Sequence, residues 1–222
     1  MRTIIGLMAL LTGCASVSTF TNARAIEKGH WQLLVAPGAQ FHPTRGGMVI
    51  PELGARVGIA DGIDLGLKVW PPYSFKLDAK FELVRSPSPD SGIDVALMPG
   101  AGFPGLRLLL PSLGCTLEGP APCAAQAGTF TMYLDAPLNF RMGGDHLFVV
   151  SPKLLDSVDT VHGENGALAA GLSVGLSLSI TRTVRVMPEV SAVYPAFVSG
   201  RLPPEAAALV MQAGLGILIG GD

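Results

Sequence analysis

The chain has 222 residues, of which 49% are hydrophobic and only 14% charged, with a formal net charge of −2. That length holds one domain with a sizeable core, and the near-neutral balance gives no footing for nucleic acid. Charge is scarce for a soluble domain, where about a quarter is usual, yet no stretch reaches the roughly 18 apolar residues of a spanning helix.

In chain order, the first signal is Arg2 ahead of an apolar stretch at 4–11, closed by Leu11, Thr12, Gly13 and Cys14. A basic start, a short apolar segment and small residues before a cut form a secretory signal. The tetrapeptide resembles the bacterial lipobox. The resemblance implies cleavage after Gly13 and acylation of Cys14, which divides the chain into a signal peptide at 1–13, a lipid-anchored tether at 14–28 and a barrel domain at 29–222. A conventional signal cut after Ala25, in Ala23-Arg24-Ala25, is the alternative reading of the same residues.

From residue 29 onward, apolar and polar residues alternate with period two in ten segments: about 29–41, 49–59, 63–70, 74–84, 93–103, 128–142, 146–156, 168–180, 184–194 and 208–219. Most run to about ten residues, longer than the five or six usual in globular strands and suited to a tilted strand crossing a bilayer. The connections after even-numbered strands are mostly tight Gly- or Asp-containing turns, whereas those after odd-numbered strands are generally longer. The longest lie at 104–127, 157–167 and 196–207. Short turns on one rim and long loops on the other predict an all-β, closed, antiparallel up-and-down barrel of about ten strands, with eight to twelve accommodated. Both termini then fall on the short-turn rim.

The faces predict which side meets lipid. In 168–180, Leu168, Leu172, Val174, Leu176, Leu178 and Ile180 alternate with Gly171, Ser173, Gly175, Ser177 and Ser179. Across the strands the polar parity collects Glu52, Arg56, Asp64, Lys68, Lys76, Asp78, Lys80, Glu82, Asp94, Asp135, Arg141, Lys153, Arg185 and Glu189, seven acids against seven bases. A balanced set of opposite charges suits a narrow interior, because desolvated charges persist when paired. The apolar parity then faces acyl chains, and closing the sheet satisfies every backbone donor and acceptor. Gln212, Gly214, Ile217 and Ile219 in the last strand resemble the signal by which the barrel-assembly machinery recognises its clients. With the hairpin layout, the resemblance covers 29–219 and is to small bacterial outer-membrane β-barrels. It implies outer-membrane lipid, the barrel-assembly machinery and the lipoprotein-sorting machinery as partners of a monomer, with the anchored N-terminus on the periplasmic side.

Two features qualify this layout. Pro37, Pro99, Pro137, Pro152 and Pro188 fall inside predicted strands, where each deletes a ladder donor, so bulges are expected. Interfacial aromatics are few: Trp31, Trp70, Phe75, Phe81, Phe130, Phe140 and Tyr194. Cys115 and Cys123 share a Gly/Pro-rich loop, and an oxidising compartment favours a disulfide there, with two free thiols as the other reading.

No catalytic grouping, metal-ligand spacing or cofactor motif stands out around His30, His42, His146 and His162, and His162 with Glu164 reads as a solvated loop pair. The expected role is therefore non-enzymatic: structural, surface-interacting or a narrow solute path, the interior charges favouring a salt-bridged plug. Turning the faces over gives a lipid-anchored periplasmic barrel of lipocalin type with an apolar ligand inside, and the strand charges outside.

Overall fold

The computed structural model describes residues 16–43, 46–70, 74–88, 91–103, 129–159, 166–199 and 209–220. Eleven strands are present: β1 (Trp31–His42), β2 (Gly46–Ala60), β3 (Ile63–Trp70), β4 (Ser74–Val84), β5 (Ile93–Phe103), β6 (Thr129–Asp135), β7 (Leu138–Arg141), β8 (Leu147–Asp159), β9 (Gly166–Ser179), β10 (Val184–Ser199) and β11 (Val210–Gly220). Apart from β6 and β7, neighbours along the chain pair antiparallel, and β1 pairs β11, so the sheet closes on itself without an edge. β6 and β7 both lie between β5 and β8, as two halves of one wall strand. The wall is therefore ten strands around, as the alternation predicts. Among the described residues, no helix is long and apolar enough to cross a membrane.

The sixth wall strand breaks at Pro137, which has no N–H to donate. Its carbonyl still accepts from Ala96 N–H at 3.0 Å, and Ala136 N–H donates to the Pro152 carbonyl at 2.9 Å, so the ladder is bridged on both sides. The other prolines depart from the expected bulges. Pro37 opposes Pro51, Pro99 opposes Leu134, Pro152 opposes Leu172 and Pro188 opposes Leu215, all in continuous register. A strand held on two sides in a closed sheet loses one bond to each proline without losing its alignment. The register shifts lie instead at Gly58/Ala60, Glu82/Val84 and Pro195/Phe197.

Polarity is inside out. Leu65, Leu67, Leu77, Leu168, Leu172 and Ile219 are exposed on the outer wall, while Ser173, Ser177, Asp64 and Lys80 are buried inside. Trp31 stands exposed at the short-turn end of β1, with Phe41, Tyr194 and Phe197 exposed towards the opposite rim. Trp70 does not join them. It shares the parity of Asp64 and Lys68 on β3 and is buried in the lumen.

The inner face is less polar than the alternation implies. Leu34, Ala36, Leu147, Val149, Met187 and Leu218 point inward and form a buried cluster. Their strands carry apolar residues at neighbouring positions, as in Leu33-Leu34-Val35, so parity alone does not sort them. What they pack on is a segment outside the wall altogether.

Candidate functional site

Residues 16–26, read from sequence as part of a tether, occupy the barrel lumen. All are buried except the partly exposed Arg24. Ser, Thr, Ala and Asn dominate the segment, so its side chains are small enough to enter a space already lined by side chains. Phe20 is the one large ring. The segment belongs to no strand, and its buried backbone groups need partners from elsewhere.

The inner wall supplies many of them. Val17 N–H donates to Gln212 Oε1 at 2.9 Å, and the Val17 carbonyl accepts from Lys153 Nζ. Ser16 and Ser18 hydroxyls donate to the Glu52 carboxylate at 2.7 to 2.8 Å. Lys68 Nζ donates to the Ser18 carbonyl at 2.9 Å, pairs with Glu52 Oε2 at 3.2 Å and lies 5.7 Å from the centre of the Phe20 ring. Thr19 and Phe20 N–H groups both point at the Glu189 carboxylate, at 2.6 and 2.7 Å. Farther along, Ala23 N–H donates to Asn139 Oδ1, Ala25 N–H to Glu82 Oε2 and Ile26 N–H to Asp64 Oδ2, at 2.9 to 3.0 Å. Lys80 Nζ takes the Arg24 carbonyl at 2.8 Å, and Arg24 Nε reaches Asp94 Oδ2 at 3.1 Å.

Three wall glycines make the room. A Cβ at Gly214 would lie 2.7 Å from Phe20 Cζ, and one at Gly216 would lie 2.9 Å from Phe20 Cδ1. At Gly58 a Cβ would fall 2.1 Å from the Glu27 carbonyl, where the segment leaves the lumen. There Gly29 adopts φ +83°, His30 N–H donates to the Glu27 carbonyl, and Gly29 and His30 bond to Gly58, which turns the chain into β1.

Of the fourteen charges assigned to the interior, ten are buried residues: Glu52, Asp64, Lys68, Lys76, Asp78, Lys80, Asp94, Asp135, Lys153 and Glu189. Arg56, Glu82 and Arg141 also keep their side chains largely shielded, at 12%, 6% and 5% exposure. Arg185 departs from the set. As the second residue of β10 it sits at the short-turn rim and donates to the Asp145 carbonyl at 2.8 Å. Direct pairs link Arg56 to Asp64 and Asp78, Lys80 to Asp64, Lys76 to Asp135 and Arg141 to Asp94. The charges thus do two things: they pair, and they hold the backbone of the lumenal segment.

Within the last strand, Gln212 is buried and also bonds Glu52, Gly214 faces the Phe20 ring, and Ile219 is exposed on the outer wall with Ile217 at the same parity. His30 lies 3.7 Å from Glu27, and His146 Nδ1 accepts from Ser179 N–H at 3.2 Å at the same rim. Among the described residues, no group of three or more His, Cys, Asp or Glu could hold a metal. Cys14, Cys115, Cys123, His162 and Glu164 lie outside the described residues, as does most of the three long loops. Of those loops, 157–159, 166–167 and 196–199 belong to β8, β9 and β10.

No protein-family model matches the sequence, and no curated protein does. Among solved structures, the chain is similar to Neisserial surface protein A (10% identity, 86% of this chain and 95% of that one, TM-score 0.30). It is also similar to the N-terminal β-barrel domain of Pseudomonas aeruginosa OprF (11%, 87% and 98%, 0.35) and to the outer membrane protease OmpT of Escherichia coli (9%, 92% and 100%, 0.37). At such identities the likeness concerns barrel architecture, which the chain's own strand ladder establishes independently.

Proposed function

We propose that the protein is a lipidated barrel of a bacterial outer membrane, closed by its own N-terminal segment and serving a structural or surface-interaction role rather than a conducting one. The burial of residues 16–26 in the lumen carries this reading. Among the described residues, a lumenal cavity beside Thr19 and Phe20 measures about 20 Å³, room for about one water. A hydrated ion or a sugar needs far more.

The outer wall supports the membrane. Leucines at 65, 77 and 172 are each more than 40% exposed, a surface that hydrocarbon solvates and water does not. A lipocalin-type carrier requires the reverse, an apolar lumen and a charged exterior, and Glu52, Asp64, Lys80 and Asp135 are buried. The barrel-assembly machinery would insert such a chain, and the sorting machinery for lipoproteins would deliver it.

The lumenal segment also supports cleavage at the lipobox. A cut after Ala25 would remove the Ser16, Ser18, Thr19 and Phe20 donors from Glu52 and Glu189, leaving them only their wall partners Lys68, Gln212 and Ser191. A cut after Gly13 keeps the whole segment and leaves Cys14 as the acylated first residue.

Planar-bilayer recording on the purified protein tests the closed lumen. A silent membrane is expected, and stable conductance steps from the wild type overturn the non-conducting role. Palmitate labelling tests the anchor: label on the wild type and none on Cys14→Ser is expected, while label retained by the variant refutes acylation at Cys14.

A further inference from the structure

The lumenal segment has a direction, and it is fixed by where its partners sit on their strands. Ser16 and Ser18 bond Glu52, eight residues from the short-turn end of β2 at Ala60, and Val17 bonds Gln212, eight residues from Gly220 at the end of β11. Thr19 and Phe20 bond Glu189, five residues after Val184 at the start of β10. Ala23 bonds Asn139, two residues before Arg141, and Ile26 bonds Asp64, the residue after Ile63. The chain therefore descends through the lumen from the long-loop half to the short-turn rim. It turns there at 27–30 and climbs back as β1.

We infer that the N-terminus leaves this barrel at the long-loop rim, so that the lipid on Cys14 anchors the protein in the outer leaflet and its first residues are displayed at the cell surface. The inference rests on the acylation of Cys14 proposed above, and it replaces the periplasmic anchor that a barrel with external termini would have. Reach decides between the leaflets. Cys14 is two residues from Ser16, at most about 7 Å of chain, and the way down to Ile26 is ten residues, up to about 33 Å through a lumen lined with charge. Acyl chains are not accommodated among ionised side chains. Outer-membrane barrels keep their short turns on the periplasmic side, so the long-loop rim faces out. The barrel would thus carry its own anchor across the membrane by closing around it.

The test uses the full-length protein with an epitope tag inserted after Ala15, compared with the same tag between Gly143 and Gly144, a short-turn position where a side chain would meet nothing within 4 Å. Heat-resistant migration in unheated samples confirms that each variant is folded. On intact cells, antibody binding to the first tag as strong as after permeabilisation is expected, while the second tag binds only after permeabilisation. Palmitate incorporation with both tags silent until permeabilisation overturns the outward anchor and leaves the acylation standing. A first tag exposed on intact cells without palmitate keeps the threading and removes the acylation. Should the tag prevent folding, Ala15→Cys with Cys115→Ser and Cys123→Ser is probed with a membrane-impermeant maleimide. Labelling on intact cells is expected, and labelling confined to permeabilised cells overturns the inference.

Discussion

The carboxylate of Glu189 holds the backbone of Phe20: its two oxygens accept the N–H groups of Thr19 and Phe20 at 2.6 and 2.7 Å. Phe20 itself has φ +42°, a left-handed value that a bulky side chain rarely adopts. Such a conformation costs about 1–3 kcal/mol and persists because the surroundings over-determine it. Glu189→Ala leaves two buried donors without an acceptor, at about 1–3 kcal/mol each. The expected result is a clear fall in the temperature at which heat-resistant migration is lost. Ser191→Ala, removing a hydroxyl that donates to Glu189 at 2.8 Å and bonds the Ser173 hydroxyl at 2.6 Å but leaves both backbone donors their acceptor, should lower it much less.

Phe20 and Gly216 should behave as a coupled pair. Phe20→Ala empties the centre of the inward cluster and is expected to cost about 3–5 kcal/mol, while Gly216→Val drives a side chain into the ring. In the double variant the added methyls enter the vacated space, so its loss of stability in urea titration should be smaller than the two single losses combined. Strict additivity would mean that the ring does not lie against β11.

The same inner cluster marks where sequence reading stopped. Period-two alternation on β3, β4 and β9 located the strands within a residue or two and put Leu65, Leu77 and Leu172 outside, because one face was wholly apolar and the other charged or small. It could not place Leu34 or Leu218, whose neighbours at the opposite parity are equally apolar. Nor could it find the lumenal segment. Residues 16–26 have no period, and their partners lie from 34 to 195 positions away, at separations that no local pattern records. One trace was available: 15–23 contains no charged residue but includes Val17 and Phe20, an odd composition for a solvated tether. The balance of seven acids and seven bases was legible, but it hid that Glu189, Glu82 and Asp64 also accept backbone N–H groups.

Asp135 tests the ionic part of the lumen. It takes Lys76 Nζ at 2.6 Å and stands 3.7 Å from Lys153 Nζ, which in turn holds the Val17 carbonyl. Asp135→Ala strands the buried Lys76 ammonium, while Lys153 keeps the Val17 carbonyl and the Thr19 hydroxyl, and is expected to cost about 3–5 kcal/mol. Replacing Lys76 and Asp135 together by Met and Leu should recover most of that loss in the same urea titration, since a packed apolar pair needs no partner.

The outer wall makes an opposite demand. Leu172→Arg places a charge on the exposed face of β9, where about 2–4 kcal/mol is the cost at the bilayer midplane. Folding yield into lipid vesicles should fall, and in the soluble alternative it would not depend on lipid at all. Ile180→Arg, at the exposed residue just beyond β9, should be tolerated far better.

Hydrogen exchange on the refolded, full-length protein measures the lumenal segment itself. The amides of Val17, Thr19, Phe20, Ala23, Ala25 and Ile26 donate to wall side chains deep inside a closed sheet, so peptides spanning 16–26 should exchange as slowly as those from β9 and β10. Exchange of that segment at the rate of a free chain, beside protected strands, would contradict the threaded lumen.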